Sequence, residues 1–138
     1  MSAPRLALFD LDHTLLAGDS DVLWCAWLLR QGLLDRARFE AGNAAMEAGY
    51  KAGSVSARDF CDFYVSTLAG RTPAEVEPLR AAFLHDEIVP RLPPRAHALV
   101  QRHRDAGHHL VLTTATNRVI TELTARHLGI ADLIATEV

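Results

Sequence analysis

The sequence predicts an α/β fold: a parallel sheet core with an all-helical stretch inserted after the first strand. Three observations predict it. Leu6-Ala7-Leu8-Phe9 is an apolar run that reads as a buried parallel strand. Residues 19 to 85 read as helix after helix, with no strand among them. Beyond them helix, strand, helix and strand alternate, and such β-α-β crossovers require parallel pairing. With 138 residues, 49% of them hydrophobic and 22% charged, the chain suits one ordinary globular domain with a real core.

Local signals justify each element. Gly18 breaks the pattern after the first strand, and Asp19 or Ser20 can cap a helix over Asp21 to Gln31, with Gly32 as its stop. Val22, Trp24, Cys25, Trp27, Leu28 and Leu29 give that helix a broad apolar face. The two tryptophans read first as core. A second helix, rich in Ala, Glu, Met and Arg, runs from about Asp35 to Lys51. Ser56-Ala57-Arg58-Asp59 resembles a capping box with a short acid and opens a third helix to Leu68. Thr72-Pro73-Ala74-Glu75 is a complete start signal for a fourth, reaching about His85.

Ile88 to Pro94 carries three prolines and predicts a stiff extended link back to the first layer. Pro94 opens a helix through Asp105. A second buried strand, His109 to Thr113, follows, and Thr114 to Asn117 reads as a polar turn. A helix over Arg118 to Leu128 and a strand over Leu133 to Thr136 complete the pattern. The expected division is therefore core 1–18, helical insert 19–87 and core 88–138. Ala17-Gly18 and Val89-Pro90 are the expected hinges.

Charge and cysteine usage narrow the function classes. The net charge is −3 and no basic block occurs, which argues against a nucleic-acid partner. No apolar run reaches the ~18 residues of a membrane span. The first strand begins close to Met1, leaving no expected room for a signal peptide. Cys25 and Cys61 fall in helical patterns without metal-type spacing, and read as reduced side chains. A cytoplasmic location is the expectation. His103, His108 and His109 cluster, but no zinc-type spacing accompanies them.

The chemistry is concentrated in Phe9-Asp10-Leu11-Asp12-His13-Thr14-Leu15-Leu16. Two carboxylates two residues apart stand where the first strand should end, the side of an open α/β sheet that binds ligands. Like charges this close are costly unless offset, and a divalent cation with a taste for hard oxygen, Mg²⁺, is the expected answer. One carboxylate is then free to act as a nucleophile while the other moves a proton. Thr14 offers a hydroxyl and a brace for the turn, and His13 would line or shield it.

This octapeptide resembles the nucleophile motif, apolar run then D-x-D-x-T, of the haloacid dehalogenase-type (HAD) hydrolase superfamily. The order of elements resembles its phosphoserine-phosphatase-like branch, whose Rossmann-like core carries a helical cap between its first and second motifs. The resemblance implies a phosphomonoesterase with Asp10 as the nucleophile that forms an aspartyl-phosphate. It implies Asp12 as general acid and then base, and Mg²⁺ held by the Asp10 carboxylate and the Asp12 backbone carbonyl. Its second motif, an apolar strand ending in a hydroxyl, matches Thr114, with the amides of Ala115 and Thr116 as further phosphate donors.

In that branch the cap chooses the leaving group. Asp19, nine residues after Asp10, matches an acid that meets a substrate ammonium, and reads equally as a helix cap. Tyr64 stands where the branch has an arginine for a substrate carboxylate, and Arg58 lies nearly two turns earlier. Another small phosphorylated metabolite, such as histidinol phosphate, is as reasonable as phosphoserine. The resemblance covers the N-terminal part of the family's fold. Its later lysine and final acidic motif have no match here, since Lys51 is the only lysine and no G-D-x-x-x-D stretch occurs. These 138 residues alone are therefore expected to turn over little substrate. The competing expectations are an incomplete fragment or a non-catalytic binding module of the same fold, with a receiver-type phospho-acceptor domain ranked below both.

Overall fold

A computed structural model of the chain describes residues 3–138. Three parallel strands form one sheet in the order β1-β2-β3, with β1 at Leu6–Asp10, β2 at His109–Asn117 and β3 at Asp132–Thr136. Leu8 pairs with Val111 and Asp10 with Thr113, while Thr113 pairs with Ile134. β1 is an edge strand, and it is buried on one face only. Ala7 and Phe9 face the core, whereas Leu6 and Leu8 are 60% and 59% exposed, against the buried strand that their apolarity predicts. Side chains of a strand alternate between the two faces of the sheet, and the face that carries Leu6 and Leu8 is left uncovered.

Four helices separate β1 from the next core helix: α1 (Ser20–Arg30), α2 (Arg36–Ala52), α3 (Ala57–Val65) and α4 (Pro73–Phe83). Their starts follow the capping chemistry. Asp19 accepts the Val22 amide and Asp35 the Arg38 amide. Ser56 with Asp59, and Thr72 with Glu75, form complete capping boxes. α2 and α3 pack on each other through Phe39 and Phe63, whose rings stack at 5.3 Å.

The Ile88–Pro94 segment differs from its expected form. The chain stays helical, in a π-turn over Leu84–Ile88 and a 3-10 turn over Val89–Arg91, and only Leu92 and Pro93 are extended. Proline's fixed φ suits the first turn of a helix, so Pro90 opens a turn instead of breaking one. Buried Glu87 anchors it, pairing with Arg30 of α1 and with Arg91 at 2.7 Å.

α5 (Pro94–Asp105) and α6 (Arg118–His127) flank β2 in sequence. Leu112 of the central strand is fully buried, and Phe9, Leu11, Leu15, Leu16 and Ile88 share its core. Each such side chain contributes about 1.5–3 kcal/mol of burial. Trp24 and Trp27 are 1% and 3% exposed and enclose Phe83, at ring distances of 5.1 and 6.0 Å. Both cysteines are free, Cys25 buried and Cys61 half-buried. No helix among the described residues is long and apolar enough to cross a membrane.

Candidate active site

The site begins where β1 stops. Asp10 is the last strand residue, and its carboxylate is exposed. The chain then turns tightly, with Leu15 donating to the Asp10 carbonyl and Leu16 to the Leu11 carbonyl. Leu11, Leu15 and Leu16 plug this turn into the core, leaving His13 and Thr14 facing out. His13 sits at φ 56°, a left-handed conformation that a polar residue tolerates in a tight turn, and its side chain is exposed. Thr14 braces the turn as expected, its hydroxyl donating to Asp10 Oδ2 at 2.6 Å.

Asp12 points the other way, into a shell of donors. The Ser20 amide and hydroxyl reach its Oδ1 at 2.7 and 2.5 Å. The Thr114 hydroxyl donates to its Oδ2 at 2.6 Å. The Thr116 hydroxyl lies 2.9 Å from Ser20 Oγ and 3.4 Å from Asp12 Oδ2. Asp12 and Thr114, 102 residues apart in sequence, are thus in direct contact.

β2 explains how Thr114 and Thr116 both arrive there. The polar segment Thr114–Asn117 continues the strand, past a register shift, instead of forming the expected turn; Asn117 still pairs with Thr136. Alternate residues of a strand share a face, so both hydroxyls point at Asp12. Both threonines are buried. The Thr116 amide donates to Thr114 Oγ1 at 3.1 Å, so it is already engaged, and Ala115 is exposed. Asn117 ends the strand and caps α6 by accepting the Ile120 amide.

Ser20 and Thr116 are the residues that sequence reasoning missed as side chains. Ser20 entered only as a possible helix cap, a role Asp19 fills. The composition of T-T-A-T is that of a turn, and it hides the strand alternation that joins Thr116 to Thr114.

The substrate-side candidates lie on the inserted helices. Asp19 caps α1, and two residues later Asp21 is largely buried, one carboxylate oxygen lacking a hydrogen-bond partner. Burial, then the negative charges of Asp19 and Asp12, push the Asp21 carboxyl up to about 7. Tyr64 is half-buried, and burial followed by Cys25, Asp19 and Asp21 pushes its phenol up to about 12. Tyr64 therefore shares an acidic neighbourhood with Asp19 and Asp21. Arg58 lines a cleft with Ala115 and Thr136.

The oxygen donors suit a hard cation. Asp10 offers an exposed carboxylate, and none of the turn's backbone bonds ends on the Asp12 carbonyl. Mg²⁺ needs few protein oxygens because it keeps several waters. Among the described residues no group of three or more His, Cys, Asp and Glu could hold a metal, so these two oxygens would form only part of a shell.

Comparison with known proteins gives the chain its family. The haloacid dehalogenase-like hydrolase family matches residues 7–138. A histidinol-phosphatase from Neisseria meningitidis is 33% identical over 96% of this chain and 60% of its own length. A crystal structure of a protein of unknown function from Bordetella pertussis is 39% identical, superimposes with a TM-score of 0.91, and is covered over 61% of its length. A phosphoserine phosphohydrolase-like protein from Francisella tularensis, 17% identical with a TM-score of 0.62 over 95% of this chain and 57% of its own, shares the fold. The chain thus spans about 60% of the length of such relatives. It belongs to the haloacid dehalogenase-like hydrolase family.

Proposed function

We propose that the chain carries the nucleophile half of a Mg²⁺-dependent phosphatase that hydrolyses a small phosphomonoester. The observation that carries the reading is the meeting of the exposed Asp10 turn with the Thr114 hydroxyl, across Asp12, at the carboxyl end of β1 and the register shift of β2. The family match and the name of the Neisseria relative support it.

In this reading Asp10 attacks phosphorus through its free carboxylate oxygen, and the bond from phosphorus to the leaving oxygen breaks. Asp12 gives that oxygen its proton. Water then attacks the phosphorus of the aspartyl-phosphate, Asp12 takes the water's proton, and phosphate departs with Asp10 restored. The Asp10 carboxylate and the Asp12 carbonyl would hold Mg²⁺, which would supply positive charge against the phosphoryl group. Thr114 turns its hydroxyl from Asp12 to a phosphoryl oxygen, joined by the Ala115 amide. Residues 19–87 act as a cap over this site. Asp19 favours a leaving group that carries a positive charge, and Tyr64 offers no countercharge for a carboxylate, which makes histidinol phosphate the first substrate to try.

The test is hydrolysis by the intact natural protein with Mg²⁺. Asp10→Asn should abolish turnover, while a binding module would keep its ligand affinity unchanged. Hydrolysis that survives in Asp10→Asn would end the proposal.

A further inference from the structure

We infer that Ser20 is the positioning residue for Asp12: it aims the carboxylate that handles the proton, and so ties that proton transfer to helix α1. The inference rests on Asp12 being the acid and base of the proposed reaction.

Ser20 is 1% exposed, and it spends both its polar groups on one atom. Its amide and hydroxyl converge on Asp12 Oδ1 at 2.7 and 2.5 Å. A hydroxyl has one proton to give. The carboxylate is the nearer and more strongly attracting acceptor, so the Ser20 proton goes to Asp12. The Thr116 hydroxyl, 2.9 Å from Ser20 Oγ and 3.4 Å from Asp12 Oδ2, braces both groups from β2. The result is a cluster of hydroxyls from α1 and β2 packed around Asp12, with Ser20 on its Oδ1.

The other oxygen, Oδ2, is held by Thr114. Phosphoryl binding draws Thr114 away in the proposed mechanism and frees Oδ2 for the leaving group. Oδ1 has no such reason to move. Ser20 therefore supplies the fixed end about which the carboxylate is oriented while its reactive end changes partners. A misplacement of ~1 Å at a reacting group can cost on the order of 100-fold in rate.

A plain capping role would look different. The first turn of α1 already has its cap in Asp19, which accepts the Val22 amide at 3.1 Å. Buttressing of the helix alone also gives no reason for the hydroxyl to add a second bond to an oxygen already holding the Ser20 amide.

The test compares two esters with the intact natural protein and Mg²⁺. An alkyl phosphate needs its leaving oxygen protonated, and 2,4-dinitrophenyl phosphate does not. Ser20→Ala should lower kcat/KM for the alkyl ester about 10- to 100-fold and for the dinitrophenyl ester less than about threefold. Thr116→Val, which nearly preserves shape, should give the same selective loss at smaller size, and carries the test if Ser20→Ala does not fold. Equal losses on both esters, or no loss on either, would overturn the positioning role and leave the phosphatase reading standing. A wild-type protein that hydrolyses neither ester would overturn that reading, and this inference with it.

Discussion

The Ala17 amide donates to the Arg91 carbonyl at 2.9 Å. Ala17 lies just before α1 and Arg91 just before α5, so the two ends of the stretch that carries α1 to α4 are joined to each other. Next to this joint, Gly18 has φ 151°, and a Cβ there would stand 3.0 Å from Leu23 Cδ1. Gly18→Ala should therefore destabilise the fold by about 1–2 kcal/mol, read from urea unfolding. Wild-type stability in that variant would show that the crossing tolerates a side chain.

The same joint is secured by charge. Glu87 is 8% exposed and pairs with both Arg30 and Arg91. Arg91 also donates to the Glu87 carbonyl at 2.8 Å, which leaves the arginine partly held when the carboxylate is gone. Glu87→Ala should cost about 2–3 kcal/mol, because two guanidinium groups lose their acceptor together. Thermal unfolding would measure it, and a loss below about 0.5 kcal/mol would mark the cluster as a solvated surface pair.

Asp21 predicts a pH dependence. Its ordinary value is 3.8, and in the folded chain it is pushed up to about 7, chiefly by burial. Between those values the folded chain holds a proton that the unfolded chain has released. The stability that the neutral carboxyl contributes is full below the lower value and is lost as pH rises through the upper one. Asp21→Asn removes this titration. In chelator, the stability of Asp21→Asn relative to wild type should rise between about pH 4 and about pH 8 by on the order of 3 kcal/mol. A difference independent of pH would mean that Asp21 is solvated.

Much of this was legible in the sequence, and the reasons are local. D-x-D-x-T behind an apolar run marks its turn because its carboxylates and its apolar plugs alternate in sequence. Thr72-Pro73-Ala74-Glu75 and Ser56 with Asp59 fix helix starts through bonds that span three residues. The misread segments depend on distant partners. Thr114–Asn117 looks like a turn by composition, and becomes strand because Thr136 and Asp12 lie beside it in space. Ile88–Pro94 looks broken by its prolines, yet the chain stays helical through Arg91 while Arg30, 57 residues before Glu87, holds that carboxylate. Ser20 could not be recognised from its neighbours in sequence, since its partners are Asp12 and Thr116.

The central claim is that Asp10 takes the phosphoryl group, and rapid acid quench of the intact protein during turnover tests it most directly. Peptide mass spectrometry should then find the added phosphoryl group on the segment from Leu6 to Leu16, at Asp10, and Asp10→Asn should remove it. A phosphoryl group on another residue, or steady turnover with none on the chain, would contradict the account.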